Sequence, residues 1–145
     1  MHGPSVYDKI RRFNTVFGLP VPLVIYSGLD RQALATRIHD QFMEMLVKEF
    51  AEGGDVLTKL RDERVPLEEA MTDLADWLGD IQVYCASEMV RHGIPIEPVM
   101  HAILDSQDSK LEDGEPVVIN GKVHKGQNYV PPEPKIMEII RGVMK

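Results

Sequence analysis

Cysteine is almost missing from this chain: Cys85 stands alone among 145 residues. No internal disulfide can form, so a reducing compartment is expected. No run of about 18 consecutive apolar residues occurs, which leaves no candidate transmembrane helix. Charged residues recur from Asp8 to Arg12, which does not fit a signal peptide, so a cytoplasmic protein is expected. Positive charge is also scarce, with 16 Lys and Arg against 23 Asp and Glu and a net charge of −7. That balance argues against nucleic acid or an anionic membrane as partner, since both favour basic surfaces. It leaves room for a small anionic ligand bound through a metal. Internal repeats and low-complexity segments are absent too. The length suits a single domain over 1–145 with a real core.

What the chain does have is helical periodicity. Residues 66–93 read as one long helix. Pro66 suits its first turn, Glu68 and Glu69 complement the positive end of the dipole, and Gly93 with Pro95 stops it. A second long helix is predicted over 31–52, with Asp30 as N-cap and Gly53-Gly54 as its end. Leu34, Ile38, Phe42, Met45 and Leu46 form its apolar face, and Arg37, Asp40, Glu44 and Lys48 its wet face. Residues 55–65 could add a further turn. Shorter helices are predicted over 5–17, about 97–110 and 135–144. Leu23 to Tyr26 reads as a short strand or an apolar strap. Late in the chain, Asn120-Gly121 between short extended runs is a strong hairpin signal. The expected fold is an all-α bundle of four to five helices with a small β-hairpin near the C-terminus.

Acidic residues interrupt the two long helices. On the predicted 66–93 helix, Asp73, Asp76 and Asp80 fall at i, i+3 and i+7 on one stripe with Glu69 and Ser87. Like charges at that spacing repel. Taken alone, the stripe reads equally well as the helix's solvated face. On the 31–52 helix, Glu49 and Glu52 continue the apolar stripe, where a solvated residue is not the obvious choice, although with Gly53-Gly54 following at once the pair also reads as projecting into water beyond the packed region. If the two helices pack antiparallel, these acids face Asp76 and Asp80. Four or five carboxylates so close cannot all stay ionised and unpaired. A hard divalent cation resolves the conflict, and an all-oxygen donor set suits Mg²⁺, or Mn²⁺ in its place. An iron pair would want Glu-x-x-His motifs, and the sequence has none. Magnesium held by carboxylates commonly takes up phosphates, which gives Lys110, Lys122 and Lys125 a role as phosphate contacts. Each lysine by itself also reads as a solubilising surface residue. Cys85 reads as an inert core thiol, His101 and His124 as packing or solvent-facing residues rather than catalysts, and Trp77 as core before ligand.

These motifs resemble the all-α nucleoside triphosphate pyrophosphohydrolases of the MazG type, a superfamily that includes phosphoribosyl-ATP pyrophosphohydrolases and dimeric dUTPases. The family pattern is E-x-x-E, a gap, then E-x-x-D. Here it reads Glu49-Phe50-Ala51-Glu52, then 20 residues, then Asp73-Leu74-Ala75-Asp76 followed by Asp80. The second half departs from the pattern. Its first acid is Asp, and if Asp80 is the terminal acid then its i−3 partner is Trp77, which cannot bind metal. A closer resemblance is to a subgroup with a late Ser-Asn-x-x-Lys segment and a GKV-x-K-x-x-x-(Phe/Tyr)-x-PP tail. Those segments read Ser106-Gln107-Asp108-Ser109-Lys110 and 121–132 here, with Gln107 in place of Asn.

The resemblance implies Mg²⁺-dependent cleavage of a (d)NTP to the monophosphate and pyrophosphate, and it tilts the substrate toward deoxynucleotides such as dUTP. It implies Glu49, Glu52, Asp73, Asp76 and Asp80 as metal ligands, with Glu49 and Glu52 catalytic and Glu49 the general base. Ser106, Lys110, Lys122, Lys125 and Tyr129 would contact the nucleotide, Tyr129 by stacking on the base. A homodimer or a dimer of dimers is implied as well. The competing expectation is a non-catalytic nucleotide- or metal-binding helical module.

Overall fold

The computed structural model describes residues 2–145. The architecture is all-α with one small antiparallel hairpin near the C-terminus. Its elements in order are α1 (Val6–Val16), α2 (Arg31–Arg37), a π-helical turn (Ile38–Phe42), α3 (Met43–Arg61), α4 (Leu67–Arg91), α5 (Ile96–Asp108), β1 (Val117–Ile119), β2 (Lys122–His124) and α6 (Glu133–Val143). Among the described residues no helix is long and apolar enough to cross a membrane. The chain divides into two compact units, one comprising Gly28–Glu88 and the other the described residues up to Ser27 with Met89–Lys145.

The unit of Gly28–Glu88 is a helical hairpin. Asp30 caps it as expected, its carboxylate accepting from the backbone N–H groups of Gln32 and Ala33 at 3.0 Å. From Arg31 the helix then runs through the π-helical turn to Arg61 without a break. The predicted stop at Gly53-Gly54 is corrected: both glycines lie inside α3. Gly53 serves an interhelix contact instead, since a Cβ there would come within 2.5 Å of the Trp77 ring. Lys59 meets Asp73, Gly53 meets Trp77, Glu49 meets Tyr84 and Arg37 meets Glu88. Residue numbers rise on one helix as they fall on the other, so α3 and α4 pack antiparallel.

The π-helical turn changes which residues face α4. Between Arg37 and Glu49 an unbroken α-helix leaves an offset of about 120° at 100° per residue. One extra residue in the π turn removes about 100° of that, which brings both side chains to the same face. Arg37, assigned above to the wet face, therefore turns inward. Its Nη2 donates to Glu88 Oε1 at 2.6 Å and its Nε to Oε2 at 3.3 Å. Glu88 is buried, so the fork anchors α2 to α4 through a largely desolvated charge pair.

The other unit has an apolar core. Ile10, Val90, Ile96, Val99 and Ala102 are buried. α1 opens with a capping box in which Ser5 Oγ accepts from the Asp8 N–H at 3.1 Å and Asp8 Oδ2 accepts from the Ser5 N–H at 3.0 Å. The strap at 23–27 forms a parallel bridge, Ile25 to Met144, with the chain's last residues. Ile25 N–H donates to the Val143 carbonyl at 2.9 Å and Ser27 N–H to that of Lys145 at 2.7 Å. The hairpin pairs Val117 with His124 and Ile119 with Lys122. Asn120 and Gly121 turn it with φ of 51° and 76°, the left-handed pair that a two-residue type I′ turn needs.

Candidate metal-binding cleft between two helices

The acid stripe of α4 is partly wet, with Glu69 and Asp76 exposed and Asp73 and Asp80 half-buried. It looks toward α3 across a cleft of about 500 Å³, lined by Glu52, Asp55, Lys59, Asp73, Asp76, Trp77 and Asp80, with Val56 and Thr58. Antiparallel pairing puts Glu52 and Asp76 on the two walls, as the sequence requires. Asp76 and Glu52 are exposed and Asp80 is half-buried. Trp77 braces the wall: its Nε1 donates to the Glu49 carbonyl at 2.7 Å while its ring lies over Gly53. Trp77 is half-buried, packed against Gly53 of α3 while also lining the cleft.

Glu49 is the unusual residue here. It is only 7% exposed, and its Oε2 is buried without a hydrogen-bond partner. Burial raises its pKa above the ordinary glutamate value. A hydrogen bond from the Tyr84 hydroxyl offsets part of that rise, and the negative charges of Glu52 and Asp80 add to it. Tyr84, half-buried beside it, is likewise raised, by burial and then by Glu49. Glu49, Glu52 and Asp80 thus form one electrostatic group, drawn from two helices. No sequence signal pointed to Tyr84, although it lies i+4 from Asp80 and so one turn further along the same stripe.

Asp73 has a different partner. Lys59 Nζ contacts its Oδ2 and lies 3.7 Å from Glu69 Oε1. The Lys59 pKa is raised, chiefly by its hydrogen bond to Asp73. Among the described residues no three His, Cys, Asp or Glu side chains close on a single point as they stand. The chemistry of the donors still fits a hard cation. All are carboxylate oxygens, and one of them is a buried oxygen that nothing in the protein satisfies.

The remaining sequence-predicted residues belong to the other unit. Ser106 is buried, and its hydroxyl donates to the Val130 carbonyl at 2.7 Å. Ser109 Oγ accepts from the Val130 N–H at 2.9 Å, and the Lys110 carbonyl accepts from Gly126 N–H at 3.0 Å. This end of α5 thus holds down the tail that carries Lys125 and Tyr129. The Lys125 ammonium sits 4.4 Å from the centre of the Tyr129 ring. Lys110 is half-buried and Lys122 is exposed on β2.

A scan of protein-family models and a search of curated proteins find no match to this chain.

Two further placements differ from expectation. Cys85, read as a core thiol, is exposed. The apolar arc of the α3–α4 hairpin also faces outward. Met43, Val47, Phe50 and Leu57 on α3 and Leu67, Met71 and Leu78 on α4 are all exposed. At about 100° per residue, the α3 stripe is centred roughly 120° around the helix from Glu49. The apolar face read from the wheel, Leu34, Ile38, Phe42, Met45 and Leu46, is half-buried, and the exposed stripe is a second one beside it.

Proposed function

We propose that this chain is a Mg²⁺-dependent nucleoside triphosphate pyrophosphohydrolase whose metal is held by Glu49, Glu52, Asp76 and Asp80. The observation that carries this reading is Glu49, a buried carboxylate with an unpartnered oxygen, coupled to acids from the facing helix. A side chain so placed weakens a metal-free fold and calls for a cation or a proton. The ordered match to the E-x-x-E and late lysine motifs of the MazG type supports the same reading.

When bound, Mg²⁺ would neutralise the triphosphate charge and order a water for in-line attack at the α-phosphorus. The protein's part follows from its own groups. The family likeness makes Glu49 the general base, the group that would take the proton from the attacking water. Attack would break the bond between the α-phosphorus and the α,β-bridging oxygen, leaving a monophosphate and pyrophosphate. Tyr84, bonded to the same carboxylate, orients Glu49. Trp77 fixes the α3–α4 spacing from which Glu49 and Asp80 approach each other.

The exposed apolar stripe supports a second proposal carried by the same family likeness, that two copies of the chain pack these faces together.

A second reading is favoured by one specific observation, the Lys59–Asp73 pair beside Trp77. Lysine engages one acid and tryptophan stands where the family pattern has another, as in a module that binds nucleotide without turning it over. A pyrophosphate-release assay over the NTPs and dNTPs, with and without Mg²⁺, separates the two. Turnover of at least one nucleotide only with Mg²⁺ is expected, and Glu52→Gln should abolish it while preserving the helical circular dichroism. If no nucleotide is cleaved but one raises the melting temperature only with metal present, the binding module is correct.

A further inference from the structure

The cleft presents five carboxylates and a single ammonium, Lys59. Lys59 lies seven residues after Glu52 on α3, two turns along the same face. It reaches across to α4 and takes Asp73 Oδ2 as its partner, with Glu69 Oε1 at 3.7 Å. Glu69 and Asp73 are themselves i, i+4 neighbours, so the ammonium bridges two acids that would otherwise repel. Among the described residues, Lys59 is the one cation lining the cleft, and Asp76 and Asp80, further along the same stripe, form no ion pair. A lysine ammonium and a divalent ion are alternative counter-charges for a carboxylate, and Asp73 Oδ2 cannot serve both at once.

We propose that Lys59 is a built-in competitor of the divalent cation: it reserves Asp73, weakens metal binding and confines the ion to the Glu52, Asp76 and Asp80 end of the cleft, the end beside Glu49. The proposal rests on the metal-cleft reading and deepens it. It removes Asp73 from the resting ligand set and makes metal affinity depend on a residue that binds no metal. Both partners are more than a third exposed, so solvent screens the pair and its influence is moderate. Without the ammonium, Asp73 adds a full negative charge to the cleft, and a divalent ion responds to that charge more strongly than a monovalent one does.

The test is a Mn²⁺ titration of the full chain without nucleotide, followed by electron paramagnetic resonance of the free ion at fixed pH and ionic strength. Lys59→Met should bind Mn²⁺ about 3- to 5-fold more tightly than wild type, the upper part of the scale of a screened surface ion pair. Lys59→Arg, which keeps the charge, should stay within twofold of wild type. Adding Asp73→Asn to Lys59→Met should return the affinity to the wild-type value, which separates competition from a general change in fold. Lys59→Gln serves in place of the Met variant if the latter does not fold. Equal or weaker binding by the uncharged variants overturns the proposal while leaving the metal cleft intact. Absence of Mn²⁺ binding by wild type and variants alike overturns both.

Discussion

The two compact units bury opposite kinds of residue. In the unit holding α1, α5 and α6, the side chains of Ile10, Val90, Ile96, Val99 and Ala102 are inside, and two neutral polar residues, Asn14 and Ser106, are buried with them, Asn14 donating to the Pro20 carbonyl at 3.4 Å. In the α3–α4 hairpin the buried apolar residues are few and small, Val56, Ala70 and Ala86, while Glu49, Ser87 and Glu88 are buried beside them. Its larger apolar residues, Val47, Phe50, Leu67 and Met71 among them, are exposed. The first unit has the arrangement hydrophobic burial alone would produce. The hairpin sets its acids toward the helix–helix seam, which lowers its stability without a counter-charge and leaves its greasy side free. On the proposed reading, the hairpin gives up core-forming capacity for a lined-up set of carboxylates because its seam holds a cation.

The sharpest way to break this contrast is to attack the outer face. If the exposed stripe is covered by a second copy, wild type sediments as a dimer or larger. Phe50→Glu, which puts a charge in the middle of the stripe, should then weaken association at least about 10-fold. A wild-type chain that is monomeric at high concentration would show that the hairpin is stable with its apolar face wet. A smaller effect is expected at the seam. Gly53→Ala gains about 1 kcal/mol of helix propensity. It also places a methyl within 2.5 Å of the Trp77 ring, and such overpacking costs about 1–3 kcal/mol. Net destabilisation of about 1 kcal/mol, read from urea denaturation, would confirm that the glycine serves close packing. A stabilised variant would mean that the helices can separate without loss.

Much of this was legible in the sequence. Apolar spacing located the long helices, Asp30 its cap, and Asn120-Gly121 the hairpin. Glu49, Glu52, Asp76 and Asp80 were singled out because acids continue an apolar stripe or line up along a helix. What was not legible has particular causes. Gly53-Gly54 looks like a helix end because glycine weakens helices, and only the facing Trp77 reveals why a glycine is needed there. Arg37 fell on the wrong face because a single π turn shifts the phase of everything before it, and no residue type announces such a turn. Hydrophobic spacing located the half-buried face of Leu34, Ile38, Phe42, Met45 and Leu46, but not the second, exposed stripe of Met43, Val47, Phe50 and Leu57. Lys59 was invisible because its partner Asp73 lies across a turn and on another helix.

The central claim is that Glu49 is a carboxylate kept for a cation, and its protonation gives the most direct test. Its folded pKa is raised above the ordinary value of 4.5. The proton it holds therefore stabilises the fold fully below that value, and the contribution is lost as pH rises through the raised folded pKa. The decisive measurement is the melting temperature of wild type and Glu49→Gln from pH 4.5 to 8, with and without Mg²⁺. Without metal, the wild type should fall below the glutamine variant as pH rises, by about 3 °C at pH 8. Excess Mg²⁺ should reverse the order by stabilising the wild type increasingly with pH and the variant hardly at all. Equal stabilisation of both proteins by Mg²⁺ at every pH would contradict the account.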